Sequence, residues 1–342
     1  MANTKGVTGD ELLALLGLDA GSEPVQRSLT ELAHGMQPEL DPDDPDVLVD
    51  WVTVNEIGLE YGFEDQAYVL ALDPDLRRQS PLILSQLYFY GNTPQTQPWT
   101  SPLPFGLTFD DDRAVVREKL LALEETRRSY IRDAWRLPTF DVTIAYRGER
   151  GRVESVFCHL PYAPWPPRPG EAERAAPFTP AFFAELFGRR WSNADLRARL
   201  APLGYEEALP DVRNAKAADL RHTHGLELKF GPGRMIKAAD RGYGSALAFG
   251  GVTYYANREL DAREWAGPLP CGLAFSDTQA DLRAKMNDDP AEAEDDVLSG
   301  YAVWHLPRFT LHVLYSNLEN RLLRVTILAP GFWEADAEEV DA

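Results

Sequence analysis

The chain has 342 residues, enough for two domains of ordinary size that each bury their own core. Hydrophobic residues make up 44% and aromatic residues 11%, which is typical of a folded globular protein and excludes a disordered chain. The formal net charge of −20 disfavours binding to nucleic acid, which needs a basic surface, and favours association with a basic partner.

The sequence shows no membrane-spanning or secretory segment. It has no run of about 18 apolar residues, the length that a transmembrane helix needs. Residues 1–6 are not followed by the apolar core of a secretory signal. The sequence therefore predicts a cytoplasmic protein that does not bind membranes.

Each half of the chain begins with a predicted pair of short helices. Residues 9–16 place their leucines on one side of a helix, and Ser22 and Pro24 favour the start of a second one. Residues 182–187 predict a helix in the same position of the second half, followed by one that begins after Ser192. Each half thus opens with a helix–loop–helix.

Alternating apolar and polar residues predict four strands in each half. Residues 57–63 are typical, because isoleucine, leucine, tyrosine and phenylalanine alternate with glycine and glutamate. Strands are predicted at 57–63, 82–90, 140–146 and 153–160, and again at 226–230, 246–255, 309–315 and 322–328. The last two of each half form a hairpin, and a short capped helix precedes it.

The same motifs occur twice in the same order. Residues 102–109, PLPFGLTF, return as residues 268–275, PLPCGLAF. Residues 135–140, WRLPTF, return as residues 304–309, WHLPRF. The unit is too long for a solenoid repeat, so we infer the duplication of one domain-sized unit.

The fold class that follows is α+β, with two tandem repeats. Each repeat is predicted as a helix–loop–helix plus a short helix, packed on one face of a four-stranded, mainly antiparallel sheet. The predicted domains are residues 1–161 and 178–330. Residues 162–177 are proline-rich and predict a semi-rigid linker, and residues 331–342 form an acidic tail.

The repeated motifs predict structural roles. Glycine, phenylalanine and tryptophan recur at fixed places and are expected to set a turn and core contacts: Gly106, Phe109, Trp135, Gly272, Phe275 and Trp304. The two cysteines, Cys158 and Cys271, each match an apolar residue of the other repeat. They are therefore predicted as small core residues and not as a disulfide or a zinc site.

With these elements in place, the chain resembles the β-lactamase-inhibitor-protein-like fold. The half-unit is similar to the BamE (SmpA/OmlA) group of outer-membrane-assembly lipoproteins, on the glycine–leucine–phenylalanine motif followed by a capped helix. The closing tryptophan–proline–aromatic hairpin also looks like that of uncharacterised bacterial proteins presumed to confer immunity to polymorphic toxins. The resemblance implies a tandem binding fold and a protein partner.

The search for catalytic and metal-binding residues gives no site. His222 and His224 would point the same way on a strand, with Glu227 nearby, but a third convincing ligand is missing. His312 with Glu227 could act as a general base, although the repeat partner of His312 is Thr143. No GxSxG, HExxH or CxxC motif occurs. We predict no catalytic residue, no metal and no cofactor.

The remaining candidate is the sheet face that the helices leave uncovered. Tyrosines with charged neighbours are typical of interfaces. The predicted partner-binding residues are Glu60, Tyr88, Tyr90, Asp141, Thr143, Glu227, Lys229, Tyr254, His312 and Arg324. The predicted function is a non-catalytic immunity protein that binds and occludes a toxin or effector domain. An adaptor or chaperone for a secreted effector, and an uncharacterised hydrolase, stay open as alternatives.

Overall fold

The computed structural model describes residues 6–44, 47–72, 76–94, 96–128, 132–147, 151–236, 246–296, 299–317 and 319–332. The chain divides by its internal contacts into two compact units, Met1–Pro164 and Trp165–Ala342. Each unit is of the α+β class and is built on one antiparallel sheet.

The first unit begins with helices and continues into its sheet. Its helices are α1 (Gly9–Leu13), α2 (Glu23–Leu32), α3 (Gln66–Val69) and α4 (Arg113–Lys119). Its strands are β1 (Val49–Val54), β2 (Leu59–Asp65), β3 (Leu82–Tyr90), β4 (Glu124–Arg128), β5 (Arg132–Arg136), β6 (Asp141–Arg147) and β7 (Arg152–His159). Thr8 caps α1 and Asp112 caps α4 through their side chains, as residues of these types do at helix starts.

The second unit repeats this order with additional helices. Its helices are α5 (Glu171–Ala175), α6 (Pro180–Ala184), α7 (Ala194–Leu200), α8 (Leu209–Ala215), α9 (Arg221–His224) and α10 (Gln279–Met286). Its strands are β8 (Ala217–Leu220), β9 (Leu226–Pro232), β10 (Leu247–Tyr255), β11 (Glu292–Asp295), β12 (Ser299–His305), β13 (Thr310–Ser316) and β14 (Arg321–Leu328).

The two sheets have the same strand order. The first runs β1-β2-β3-β7-β6-β5-β4, and the second runs β8-β9-β10-β14-β13-β12-β11. Neighbouring strands are antiparallel throughout both sheets. The strand registers therefore show which positions of the two sheets are equivalent.

Each sheet has seven strands, so the prediction of four was too low. The predicted four are the central strands, which carry clear alternation. The missed strands lie toward the edges. One of them, β4 (EETRR), is wholly polar, and another, β11 (EAED), is polar except for one alanine. Charged edge strands protect a sheet from pairing with other chains, and they carry no hydrophobic period. For that reason the acidic run at 288–296 shows no strand pattern in the sequence, although it contains β11.

One face of each sheet packs against helices and forms the core. In the first unit Val25, Leu29 and Leu32 of α2 are fully buried, and Val116 of α4 joins the same cluster. They contact the inward residues of the strands, such as Val142 and Ile144. The second unit has a corresponding cluster. The opposite face of each sheet carries mainly half-buried polar and aromatic residues.

The repeated glycine motif forms a loop held by a lysine. Lys119 Nζ lies 2.7 Å from the carbonyl oxygen of Gly106 and 2.7 Å from Asp111 Oδ2. Lys285 makes the same contact with the carbonyl oxygen of Gly272, at 2.9 Å. Both glycines have a positive φ and follow a residue that also has a positive φ. The lysine satisfies the carbonyl groups that this turn leaves exposed.

The other motif residues take core positions. Trp135 and Trp304 are buried, and Phe275 is buried in the second core cluster. Phe109 packs against the first cluster while remaining partly exposed. Cys158 is buried, and burial raises its thiol pKa well above the usual value. Cys271 differs from the prediction, because it is exposed.

The proline-rich segment predicted as a linker is mostly exposed and is anchored at a few points. Within the first unit, Ala163 donates its backbone N–H to the Val69 carbonyl at 2.9 Å. Within the second unit, Trp165 is buried under Arg258, and its backbone exchanges two hydrogen bonds with the side chain of Asn257. Residues further on form α5.

Candidate functional site

The predicted residues of the first unit lie together on its open face. Glu60, Tyr88, Tyr90, Asp141 and Thr143 are all half-buried, and their strand positions alternate with core residues. Across the sheet, Glu60 pairs with Tyr88, and Phe157 pairs with both Tyr88 and Thr143. Glu60, Tyr88 and Thr143 thus lie in one cross-strand row. Tyr90 and Asp141 each lie two residues from that row, on β3 and β6.

Five aromatic side chains form a continuous stripe across this face. Trp51 meets Tyr88 edge to face, with ring centroids 5.8 Å apart. Tyr88 stacks on Tyr90 at 5.6 Å and on Phe157 at 4.0 Å, and Phe157 stacks on His159 at 4.8 Å. We call this set the aromatic stripe. Stacked rings at these distances are favourable beyond their area burial, so they order one another.

A glycine makes room for the tryptophan of the stripe. A Cβ atom on Gly62 would lie 2.7 Å from the Trp51 ring, closer than side chains approach each other. Gly62 lies opposite Trp51 on the neighbouring strand. Trp51 keeps 39% of its surface exposed, which is a large exposed fraction for a tryptophan.

Glu60 is the polar anchor beside the stripe. It accepts hydrogen bonds from the Tyr90 hydroxyl at 2.8 Å and from Thr53 Oγ1 at 2.6 Å. Burial raises the pKa of Tyr90 above its usual range, and the Glu60 carboxylate raises it further. Burial also raises the pKa of Tyr88. Both hydroxyls are therefore neutral donors at physiological pH.

The second open face holds a pocket of about 420 Å³. Four of the five predicted residues line it: Glu227, Lys229, His312 and Arg324. The pocket is also lined by residues that the sequence reading missed: Arg221, Thr253, Tyr255, Leu260, Thr326 and Phe332. We call it the second-unit pocket.

Tyr254 was wrongly placed on this face. It is fully buried in the core, where its ring lies 5.8 Å from Trp265 and 6.0 Å from Phe183. Tyr255 takes the open position instead and donates to Glu227 Oε2 at 3.2 Å, as Tyr90 does to Glu60. A bulge near Gly251 shifts the register of β10, and nearly all of its residues are buried. Alternation therefore gave no sign of which tyrosine faced outward.

The histidine–glutamate pair considered as a general base is not formed. His312 faces Thr326, Thr326 faces Thr253, and Thr253 faces Glu227, each on the next strand. Three strand spacings separate the backbones of His312 and Glu227 by about 14 Å. Burial, with Arg324 and Lys229 nearby, lowers the pKa of His312 to about 4. Its imidazole is therefore neutral at physiological pH.

The histidines considered as metal ligands are not on a strand. His222 and His224 belong to the helical turn α9, so the shared direction that a strand would give them is lost. His224 is the more buried of the two, and burial lowers its pKa. Across the described ranges, no group of three or more His, Cys, Asp or Glu side chains is placed to hold a metal ion.

Some residues of the first face were also missed. Trp51 lies on β1, whose Val52 and Val54 alternate with it and could have indicated the strand. Phe157 and His159 lie on a predicted strand, outward of Val156 and Cys158. The outward face of that predicted strand, 153–160, already contains Phe157 and His159.

Searches against protein-family models, curated proteins and solved structures gave no match. In the part of the chain that the structure describes, no helix is both long and apolar enough to cross a membrane.

Proposed function

We propose that the protein is a non-catalytic binding protein whose aromatic stripe recognises a protein partner. The stripe is the observation that carries this proposal. It presents Trp51, Tyr88 and Phe157 side by side on a rigid sheet, with ring contacts from 4.0 to 5.8 Å. Rigid aromatic side chains are the commonest anchors of protein interfaces, because they bury much area and lose little conformational entropy.

The charge of the chain supports a basic partner. With a formal net charge of −20, long-range attraction speeds the approach of a cationic domain. The stripe itself suits arginine and lysine side chains, since cations bind the faces of aromatic rings. Glu60 lies at its edge and offers a carboxylate to such a cation.

A toxin or effector domain is the partner that we propose, so that the chain acts as an immunity protein. The tandem α+β units support this choice, together with the sequence motifs that resemble those of inhibitor-like proteins. An adaptor or chaperone for a secreted effector would use the same surface, and would bind its partner without neutralising it. We therefore propose immunity first and the adaptor role second.

The test is a toxicity-rescue assay with toxin domains encoded next to the gene for this chain. Wild type is expected to restore growth of cells that express the cognate toxin. The double variant Tyr88→Thr/Phe157→Thr takes the residues that the second unit carries at these positions, Thr253 and Thr326. It should keep the fold and lose rescue.

A matched control replaces an exposed apolar residue outside the stripe. Leu121 is 81% exposed at the end of α4, and Leu121→Ser should rescue like wild type. Rescue by the double variant at wild-type level would remove the stripe from the interface. If wild type forms a stable complex with the toxin domain but does not restore growth, the adaptor role is favoured.

A further inference from the structure

The second-unit pocket exists because two threonines stand where the first unit has aromatic rings. By strand register, Thr253 corresponds to Tyr88 and Thr326 corresponds to Phe157. The two threonine hydroxyls form a hydrogen bond with each other at 2.9 Å, so each has a hydrogen-bond partner at the bottom of the pocket. The open volume of about 420 Å³ lies in the range of sites for small organic molecules.

Three cationic side chains line the pocket: Arg221, Lys229 and Arg324. Each of them has a carboxylate partner. Lys229 pairs with Glu227 at 2.7 Å, Arg324 with Glu259 at 3.0 Å, and Arg221 with Asp219 at 2.6 Å. An ammonium group has three N–H donors and a guanidinium has five, so these groups retain donors for a ligand.

One wall is a strained loop with an exposed leucine. Arg258, Leu260 and Asp261 all have a positive φ, of 68°, 49° and 60°, although none of them is glycine. A residue with a side chain is strained in this conformation, and strain of this kind concentrates at ligand clamps. Leu260 keeps 52% of its surface exposed at the rim of the pocket.

The opposite wall is a phenylalanine seated on glycines. Cβ atoms on Gly231 and Gly250 would lie 2.4 and 2.5 Å from the Phe332 ring, so these glycines allow the ring to cover the sheet. Phe332 and Leu260 give the pocket apolar surfaces beside its cationic groups.

We propose that the second-unit pocket binds a small organic anion. A carboxylate or another oxyacid group is held by Lys229 and Arg324, and an apolar or aromatic remainder packs between Leu260 and Phe332. The hydroxyl of Tyr255 donates a hydrogen bond to Glu227 and so holds the Glu227 carboxylate in place at one side of the pocket. This site is separate from the aromatic stripe and does not depend on the proposed immunity function.

The test is calorimetric binding of three probes to the full chain: phenylacetate, phenylacetamide and inorganic phosphate. Phenylacetate is expected to bind most tightly. Phenylacetamide has the same shape without the charge and should bind about tenfold more weakly, because charge-assisted hydrogen bonds are lost. Phosphate should also bind more weakly, because it lacks the apolar part.

Two variants locate the site. Thr326→Phe introduces the residue of the first unit and should abolish phenylacetate binding by filling the pocket. Lys229→Gln should weaken phenylacetate binding about tenfold and leave phenylacetamide binding unchanged. If Thr326→Phe does not fold, the proposal is still tested by Lys229→Gln and by the comparison of phenylacetate with phenylacetamide.

Three outcomes would overturn the proposal. The first is no phenylacetate binding at millimolar concentration. The second is equal affinity for acid and amide. The third is full affinity in both variants. Phosphate binding as tight as that of phenylacetate would overturn the organic part of the proposed ligand.

Discussion

At the centre of its open face the first sheet carries Tyr88 and Phe157, whereas the second sheet carries Thr253 and Thr326 at the corresponding positions. The rings fill the first face and form the aromatic stripe. The threonines leave the second face concave, and Lys229 stands where the first sheet has Gly62. One strand order thus supports a flat aromatic surface in one unit and a charged pocket in the other.

The difference shows which side of the sheet specifies the fold. Truncating a core side chain typically costs 2–5 kcal/mol, whereas most surface changes stay within about 0.5 kcal/mol. Substitutions on the helix-covered faces of both units are therefore costly, so these faces keep mainly apolar residues. The open faces need only residues that suit a strand, so they can differ between the two units. The four predictions below test this division, starting with the shared framework.

The largest effect is expected where both units share a glycine. A Cβ on Gly58 would lie 2.3 Å from the carbonyl oxygen of Gln97, and one on Gly225 would lie 2.4 Å from that of Arg263. Both glycines also have a positive φ. Gly58→Ala and Gly225→Ala should each lower the free energy of unfolding by about 3 kcal/mol or more. Urea unfolding measures the loss.

A third glycine provides the control for these two. Gly106 has a φ of 65°, close to that of Gly58, but no atom lies within 4 Å of its Cβ position. Gly106→Ala should cost only the left-handed backbone penalty, about 1 kcal/mol. Equal losses at Gly58 and Gly106 would show that crowding plays no part. A large loss in one unit alone would break the equivalence of the two frameworks.

The next effect distinguishes the two cores. Asp133 is fully buried and accepts two hydrogen bonds from Arg117, at 2.9 and 3.1 Å, and one from Tyr146 at 3.2 Å. The corresponding residue of the second unit is Ala302. Arg113 lies 3.8 Å from the same carboxylate. Asp133→Ala leaves both arginines without this partner and should destabilise the first unit by about 3 kcal/mol. Thermal unfolding checks this.

The arginine supplies the matched control. Asp133→Ala/Arg117→Met removes both charges and should recover much of the loss, because an apolar pair can replace a buried ion pair. If the single and double variants are equally unstable, the unpaired arginine is not the cause.

The strands that could be predicted are those with a hydrophobic period. β6 alternates strictly and β13 does so over most of its length, and the sequence places both strands to within one residue. β4 and β11 are polar because they lie at the edge, and edge pairing depends on the neighbouring strand rather than on their own side chains. Their existence follows from the tertiary fold, which local patterns do not show.

The sequence could predict which face of the sheet carries the candidate site, but not that this face forms a pocket. Glu227, Lys229, His312 and Arg324 were assigned to one face, and they do line one pocket. The pocket itself depends on the absence of large side chains at Thr253 and Thr326. Leu260 and Phe332 reach it from loops beyond the strands, so no periodic pattern could indicate them.

A smaller effect belongs to the charged pocket alone. The pKa of His312 is lowered from 6.5 to about 4 by burial, and then by Arg324 and Lys229. The unfolded chain therefore binds more protons between pH 4 and 6.5, and stability falls as the pH falls through this window. His312→Thr introduces the first unit's residue. It should reduce the loss of unfolding free energy between pH 7 and pH 5 by about 2 kcal/mol.

Two measurements check this step. Urea unfolding at both pH values compares His312→Thr with wild type, and NMR follows the histidine ring signal directly. Arg324→Gln serves as the control and should raise the pKa of His312, because it removes a neighbouring positive charge. A His312 signal that titrates near pH 6.5 would contradict both the burial of its ring and the effect of the neighbouring cations.

The smallest effect compares the two tyrosine–glutamate pairs. Glu60 accepts from the neutral donors Tyr90 and Thr53, whereas Glu227 accepts from Tyr255 and from the charged Lys229. Glu60→Gln and Glu227→Gln should each cost about 1 kcal/mol of unfolding free energy.

Salt should separate the two variants, because it screens partly exposed ion pairs more than it weakens hydrogen bonds from neutral hydroxyls. Lys229 keeps 37% of its side-chain surface exposed, so its attraction to Glu227 is open to screening. The cost of Glu227→Gln should therefore shrink in 1 M salt, where the Debye length is about 3 Å, while the cost of Glu60→Gln stays nearly constant. Urea unfolding at low and high salt measures both. If the two costs fall together, the faces have the same electrostatic character, and the distinction between an aromatic and a charged face fails at these positions.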